Sequence, residues 1–579
     1  VRKILKILNK SFLFLLLINA FLFAQTKTIF VAPDGSDSND GTSPASSLQS
    51  INNAVVKAEA GDTVLIMSGR YREIIYFTNK NGLPDEPIYI IGNISGEGEP
   101  AVIDGGAEKP SSDASNFWLV FENSSWIEII NLKFENGWTN PIQVTNSSYL
   151  SFKQCDISGG RRVIYAKEIK THHILIENCY WDQGGEYLWT LKEDDQGVDA
   201  WTSMHHENMH YFNGSIIDFR KTGGSIVIRN NKFINNFNSV RWRGAEGCDA
   251  NIEIYNNDIS YVRDNDFEPE VYTYNLHIYH NKSFNVHRNL SIDDVGGGYI
   301  YYYGNLIITD DDPWTQEVCL LFWKIYGNRN LDYPLYLFNN SFYGCANAFE
   351  FDVGNGTLIK HFNNAYYFLL DRGWKVDNWH QSNEFDYDIS NKDWAENLIV
   401  NNQEKHGKIA DIKYAEPAQN DFRLSRSSPG IDAGNEMTLP ELDWTQTYSG
   451  NAPDVGAYEN GELVEGPPFR FMIPPNSKIE HKEKPRIVRH KIKGNALTIY
   501  FSDQIDTVRS RDCKIKVFAK GKEVEVISAE YQNTYRLDLI TDSKLDKHDV
   551  SILFNKMPLG MNGENATYWA STIRIKKDD

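Results

Sequence analysis

The chain is short of cysteine, of positive charge and of long apolar runs, and each shortage excludes something. Six cysteines in 579 residues are too few for a disulfide-built scaffold. Cys155 and Cys179 stand in matching contexts, Gln-Cys-Asp and Asn-Cys-Tyr, and read as free thiols stacked on neighbouring repeats rather than as a bridge. Lysine and arginine number 58 against 78 aspartates and glutamates, a formal charge of −20. That balance argues against a nucleic-acid partner, because a phosphate-binding face needs a basic patch. A polyanionic substrate would need a local basic cleft or a bound cation. No apolar run is long enough for a comfortable membrane span. The one run present, 12–23, follows the basic start Val-Arg-Lys-Ile-Leu-Lys and has the form of a secretory signal. A signal peptide is therefore expected at 1–24, with a secreted or periplasmic protein that has no transmembrane segment.

What the chain has is a repeat. Residues 251–274, NIEIYNNDISYVRDNDFEPEVYTY, and 275–298, NLHIYHNKSFNVHRNLSIDDVGGG, are two versions of one 24-residue line. Each opens with alternating apolar residues, reaches Asn-Asn or His-Asn, turns, and runs again as a short strand. A period of this size marks a solenoid whose repeats bury their apolar faces only by stacking. An Asn-type column can be drawn through Asn131, Gln154, Asn178, Asn231, Asn257, Asn281, Asn305, Asn340 and Asn364; stacked amides of this kind hydrogen-bond along the stack and are structural. Two long steps in the column hold insertions at 185–224 and 310–334, and loops of that length tend to wall a cleft. Residues 47–58 have a helical pattern suited to capping the open end. Asp34, Asp37 and Asp40 read as an ordinary Gly/Ser/Asp turn.

The entry segment VAPDGSDSNDGT at 31–42, the AGDTV strand with Gly69-Arg70-Tyr71-Arg72-Glu73, the Asn column and DVGAYE at 454–459 together resemble the right-handed parallel β-helix (pectate-lyase-like) superfamily of secreted carbohydrate-active proteins. The resemblance covers about 28–460. It implies an all-β fold, a right-handed parallel β-helix solenoid at 25–464 carrying the catalytic site. A Pro- and charge-rich linker is expected at 465–485, and the short alternating strands of 486–579 suggest an immunoglobulin-like β-sandwich. The superfamily includes lyases, glycosidases, epimerases and adhesins, so it leaves the reaction open. The Gly-His-Gly of galacturonases is absent, and so is the epimerase Tyr-Gly-x-Asp-Pro-His-Asp run. Arg241 and Arg243 precede the acids, the reverse of the chondroitinase-B-like order. The nearest pattern is the β-helix xylosidase type, with acids on consecutive rungs at Phe267-Glu268-Pro269-Glu270 and Leu290-Ser291-Ile292-Asp293.

Alternation along a strand places Val240/Trp242, Phe267/Pro269, Leu290/Ile292 and Phe349/Phe351 inside. Arg241/Arg243, Glu268/Glu270, Ser291/Asp293 and Glu350/Asp352 then face out, with Tyr165 and Lys167 on an earlier rung. One extra residue in 263–266 suggests a bulge. Carboxylates one rung apart would be about 5 Å apart, near the retaining-glycosidase spacing; Glu268 and Glu270, about 7 Å apart on one strand, would suit inversion. The expectation is a polysaccharide-degrading enzyme, read first as a glycoside hydrolase with Glu270 and Asp293 as the acid and nucleophile/base pair and Glu268 in reserve. Arg241, Arg243, Tyr165, Lys167, Trp201, His206 and Glu350 would bind an extracellular polysaccharide or oligosaccharide. No cofactor is required on this reading. The alternative is a Ca²⁺-dependent lyase acting on a uronate-containing glycan, with Asp266, Glu268, Glu270 and Asp293 as oxygen ligands and Arg241, Arg243 or Lys167 as base. A third reading is a non-catalytic glycan-binding or adhesion protein. A monomer is expected. His206 and His210 are four apart, but without an HExxH pattern they make a poor zinc pair.

Overall fold

The computed structural model describes residues 26–575 except 85, 94–99, 108–116, 185–188, 190, 310–318, 325–328, 345–346, 354–355, 371–372, 377 and 546–548, and excepting the side chains of 319–324 and 352–353. The expected signal peptide, Trp314 and the side chains of Trp323 and Asp352 thus lie outside the described residues. Among the described residues no helix is long and apolar enough to cross a membrane.

From Thr28–Val31 to Lys408–Ile409 the named strands pair in parallel. They fall into three sheets, each rung contributing one strand to each, which makes a parallel β-helix; right-handed crossovers are the rule for parallel strands. The sheet that carries the site stacks Leu119–Glu122, Ile142–Thr145, Ile164–Lys167, Ile217–Arg220 and Val240–Arg243, then residues 267–270, 290–293, Cys319–Lys324 and Asn347–Val353. Two continuous strands, Asp258–Tyr279 and Lys282–Tyr303, each pass through all three sheets. Val240, Trp242, Phe267, Leu290, Ile292 and Phe349 are fully buried in the core, as alternation predicts.

Two columns of residues turn the rungs. Asn131, Gln154, Asn178, Asn230, Asn256, His280, Asn339 and Asn363 have φ between 51 and 60°, the left-handed region that Asn tolerates better than most residues. One position later stands the amide ladder. Asn231 Nδ2 donates to Asn257 Oδ1 at 2.9 Å, Asn257 to Asn281 at 2.9 Å, Asn281 to Asn305 at 3.1 Å, Asn305 to Asn340 at 3.1 Å and Asn340 to Asn364 at 2.9 Å. It ends on Asp388 Oδ1, 3.1 Å from Asn364 Nδ2. The expected column therefore merges two. Asn131, Gln154 and Asn178 belong to the left-handed column, and Cys155 and Cys179 occupy the ladder position on their rungs. Both are buried free thiols set against the carbonyls of Ile129 and Phe152.

A second left-handed column (Trp126, Tyr149, His173, Ser225, Asn251, Asn275 and Tyr299, φ 46 to 63°) opens the strands of a neighbouring sheet. The 465–485 segment lies along it instead of hanging free: Asn275 Nδ2 donates to Arg470 O at 2.8 Å, and Asn251 exchanges bonds with the Met472 backbone. Beyond it, two four-stranded sheets close over a shared core of Leu497, Ile499, Val517, Leu537, Leu539 and Ile552, forming the β-sandwich. Arg486 and Glu253 make a buried ion pair between sandwich and solenoid. At the other end the helix Ile51–Lys57, capped by Ser50, buries Ile51, Ala54 and Val55 on the first rung. Asp40 accepts from Thr42 and Ser46 close by in the chain, and Asp37 accepts from Gln49 and Ser50 at the start of that helix.

Candidate functional site

Register sets the site. Arg241 pairs with Glu268 and Arg243 with Glu270, and Glu270 with Asp293 one rung on. The offset between these last two rungs changes between Val262 and Asn265, which is the bulge that the extra residue implied. One carboxylate oxygen from each of Glu268, Glu270 and Asp293 lies within 4.8 Å of the others. Glu268 and Glu270 are buried and Asp293 half-buried. The two glutamates stand closer than free strand geometry would put them, and Arg241 spans both: its Nε is 3.2 Å from Glu268 Oε2 and its Nη2 2.7 Å from Glu270 Oε1. Asn238 and Asn265 each donate to Glu268 at 2.9 Å. Arg243, 60 % exposed, reaches Glu270 Oε2 with Nε at 3.2 Å.

Burial raises the Glu270 carboxyl; Arg241 lowers it and Glu268 raises it again. Arg241 loses from burial but is held protonated by Glu268 and Glu270.

No family model matches the chain. Pectate lyase PEL9 of Emericella nidulans is 30 % identical over 147 residues, which is 25 % of this chain and 31 % of that one; the match spans about a third of its length. Among solved structures, pectate lyase Pel9A is 16 % identical with a TM-score of 0.33, covering 75 % of this chain and 97 % of that one. A mannuronic acid specific family 6 lyase from human gut microbiota is 11 % identical with a TM-score of 0.38, covering 68 % and 93 %. The parallel strand pairing makes the scaffold a β-helix. Scores this low leave the chemistry to the geometry of the site.

That geometry includes groups the sequence did not announce. Asp218 is buried beneath Tyr165 and beside Arg241 in register. It binds Arg162 at 3.0 Å and Arg220 at 2.9 Å, and both guanidiniums flank the Tyr165 ring at 5.9 and 5.8 Å. Arg161 lies next to this stripe, its pKa pushed down to about 10 by burial and by Arg162 and Arg241. Asn213, from the 185–224 insertion, ties it in: its carbonyl oxygen accepts from Arg161 Nε and its Oδ1 from Arg241, both at 2.8 Å. Lys167 pairs in register with Arg220, so the acids sit at the end of a cationic stripe on an otherwise acidic protein.

The insertion does wall the site. Its helix Ala200–His206 packs Ala200 and Met204 with Trp138 and Phe237. Trp201 is 37 % exposed and lies over His205 with ring centroids 3.8 Å apart. His205 lies 3.6 Å from Asp264, ahead of Glu268 and Glu270 on the same strand; His206 is exposed. The helix stops before His210, which meets Arg161 at 2.6 Å instead of pairing with His206. Asp266 stands apart from the trio. It is fully buried, accepts from Ser283 at 2.6 Å, and burial pushes its pKa up to about 7. Glu350 is also separate, buried with Lys375 at 3.0 Å and Arg288 at 3.9 Å.

The expected 310–334 insertion contains a rung. Its Cys319–Lys324 strand pairs Leu321 with Leu290 and Lys324 with Asp293. The alternation Leu321/Trp323 against Phe322/Lys324 carries this signal in the sequence, but the long step in the Asn column hid it.

Proposed function

We propose that this chain is an extracellular enzyme that degrades a carboxylate-bearing polysaccharide by β-elimination at the Glu268–Glu270–Asp293 cluster. The observation that carries this reading is the junction itself: three carboxylates within 4.8 Å of one another at the end of a stripe formed by Arg162, Arg220, Arg241 and Arg243. Such a stripe has little use for a neutral glycan and suits a uronate chain, since guanidinium matches carboxylate in shape and charge. The acid trio, all oxygen donors on adjoining strands, fits a hard divalent cation such as Ca²⁺. Bound there, Ca²⁺ would neutralise the substrate carboxylate and acidify the proton on the adjoining carbon. Arg243, exposed, binds a substrate carboxylate, while Arg241, engaged by both glutamates, holds the acids in position. The base in this reading is one of the basic residues of this face, Arg241, Arg243 or Lys167. It takes the proton beside the carboxylate; the electron pair forms a carbon–carbon double bond, and the glycosidic oxygen leaves.

The second reading, retaining hydrolysis by Glu270 and Asp293, rests on their direct pairing across one rung and on the raised Glu270 pKa, which a proton donor needs. Purified protein on uronate polymers, with and without EDTA, tests both. Ultraviolet absorbance of an unsaturated uronate that disappears with EDTA supports elimination. New reducing ends without absorbance, indifferent to EDTA, refute it in favour of hydrolysis.

A further inference from the structure

A second cluster, on a different sheet, is built of imidazoles. His172 and His173 are consecutive on the strand His172–Glu177 and would ordinarily face opposite sides. His173 has φ of 55°, which breaks the alternation, and both rings turn to one partner from the docked segment: His481 stacks on His172 with centroids 3.9 Å apart and lies 5.0 Å from His173. One ring nitrogen from each of the three lies within 4.8 Å of the others. Glu483 adds a carboxylate, its Oε2 3.2 Å from His173 Nε2 and 3.7 Å from His481 Nε2. Ser225 donates to that same oxygen at 3.1 Å.

This packing leaves donors and acceptors unsettled. His481 Nδ1 is buried without a hydrogen-bond partner, and His173, 1 % exposed, turns its Nε2 to Glu483. The Nδ1 atoms of His172 and His173 are 2.6 Å apart, a contact that requires a proton or a cation between them. A cavity of about 380 Å³, lined by His172, His481, Lys170 and Asn146 among others, gives a path from solvent.

We propose that His172, His173, His481 and Glu483 bind one zinc ion, which fastens the 465–485 segment, and with it the sandwich, to the solenoid. Three imidazoles and a carboxylate are a donor set that suits zinc and other imidazole-preferring divalent metals far better than Ca²⁺. Ser225 on Glu483 supplies the outer hydrogen bond that such sites use to orient a ligand.

The test uses full-length protein, stripped with chelator, dialysed and titrated with zinc chloride by calorimetry, with bound metal counted by elemental analysis. The expected result is one zinc per chain and a higher melting temperature when loaded. His481→Ala and Glu483→Gln should each weaken zinc binding by at least about 10- to 100-fold, while Glu270→Gln binds zinc as the wild type does. The zinc K-edge spectrum should show imidazole nitrogens in the first shell. Should His481→Ala not fold, Glu483→Gln and the K-edge spectrum still decide. No zinc on the wild type, equal binding by both ligand variants, or loss in Glu270→Gln would overturn the proposal. Cleavage of polysaccharide by His481→Ala is expected to match the wild type, so this site and the acidic one fail separately.

Discussion

Arg241 is the residue whose removal says most about the acidic cluster. Arg241→Met keeps the stem and removes the cation that bridges Glu268 and Glu270. With oxygens of the two carboxylates within 4.8 Å and both side chains at most 7 % exposed, two full charges repel by about 3.5 kcal/mol at an effective dielectric of about 20. Breaking a buried ion pair on one side generally costs about 3–5 kcal/mol, so the two lines of reasoning agree. The loss must depend on pH. Removing Arg241 takes away the interaction that lowers the Glu270 pKa, so the folded variant holds protons more tightly than its unfolded chain. An acid with a raised folded pKa contributes stability below that pKa and loses it as pH rises. The variant should therefore fall well below the wild type in denaturant midpoint at neutral pH and approach it at acid pH. Added Ca²⁺ should restore the variant more than it raises the wild type, because a second cation then stands between the acids. Equal midpoints at neutral pH, or a deficit that does not change with pH, would refute the placement of two charged glutamates against Arg241.

Glu270→Gln and Asp293→Asn are expected to lower turnover by at least about 100-fold, Glu270→Gln with a lower melting temperature as well because it breaks the buried pair with Arg241; full activity in either removes that residue from the mechanism. The pH–rate profile of the wild type separates the two chemistries by sign. If Glu270 acts ionised, activity falls as pH drops through its raised pKa; if it donates a proton, activity falls as pH rises through it. Truncation after Glu459 should give insoluble protein, since it uncovers Tyr149, Val227, Tyr255, Tyr279 and Tyr303 and strands buried Glu253 without Arg486. A soluble, active fragment would mean that the sandwich is only appended. Asn281→Ala leaves Asn257, Asn305 and the Ile254 carbonyl short of a partner; the expected loss of at least about 1–3 kcal/mol is read from denaturant midpoints, and an unchanged midpoint would contradict the ladder.

The solenoid was legible in the sequence because its period repeats in the same residue types: apolar pairs at Ile252/Ile254 and Leu276/Ile278, then Asn. Alternation alone placed Arg241, Glu268, Glu270 and Asp293 on one outer face. What it could not separate was a left-handed Asn from a ladder Asn one position later, since both roles select the same side chain; Asn131 and Asn178 were drawn into the wrong column. Spacing also concealed the strand Cys319–Lys324, because the register partners of Cys319, Arg288 and Asn347, stand 31 and 28 residues away rather than 24. The linker was read from composition, which reports solvation but not the hydrogen bonds that Asn251 and Asn275 offer to Met472 and Arg470. Asp218, Asn213 and Asn238 serve the site only through rung stacking or the fold of the insertion, and no local motif announces them.

The amide ladder also gives the molecule a direction. Every Asn from Asn231 to Asn364 donates Nδ2 to the Oδ1 of the next, so the side-chain dipoles add head to tail across six rungs in the manner of a helix macrodipole, with the positive end toward the C-terminal turns. There the stack ends not on another Asn but on the carboxylate of Asp388, an acceptor that has no amide to pass on and that opposes the accumulated polarity. His361 and Glu404 close around it, completing a stop. A turn that brings its own Asn extends this line, as the turns at Asn257, Asn281 and Asn305 do, whereas the rungs of Cys155 and Cys179 and the strand Lys408–Ile409 beyond Asp388 stack without it. The polarity is therefore confined to the stretch between Asn231 and Asp388.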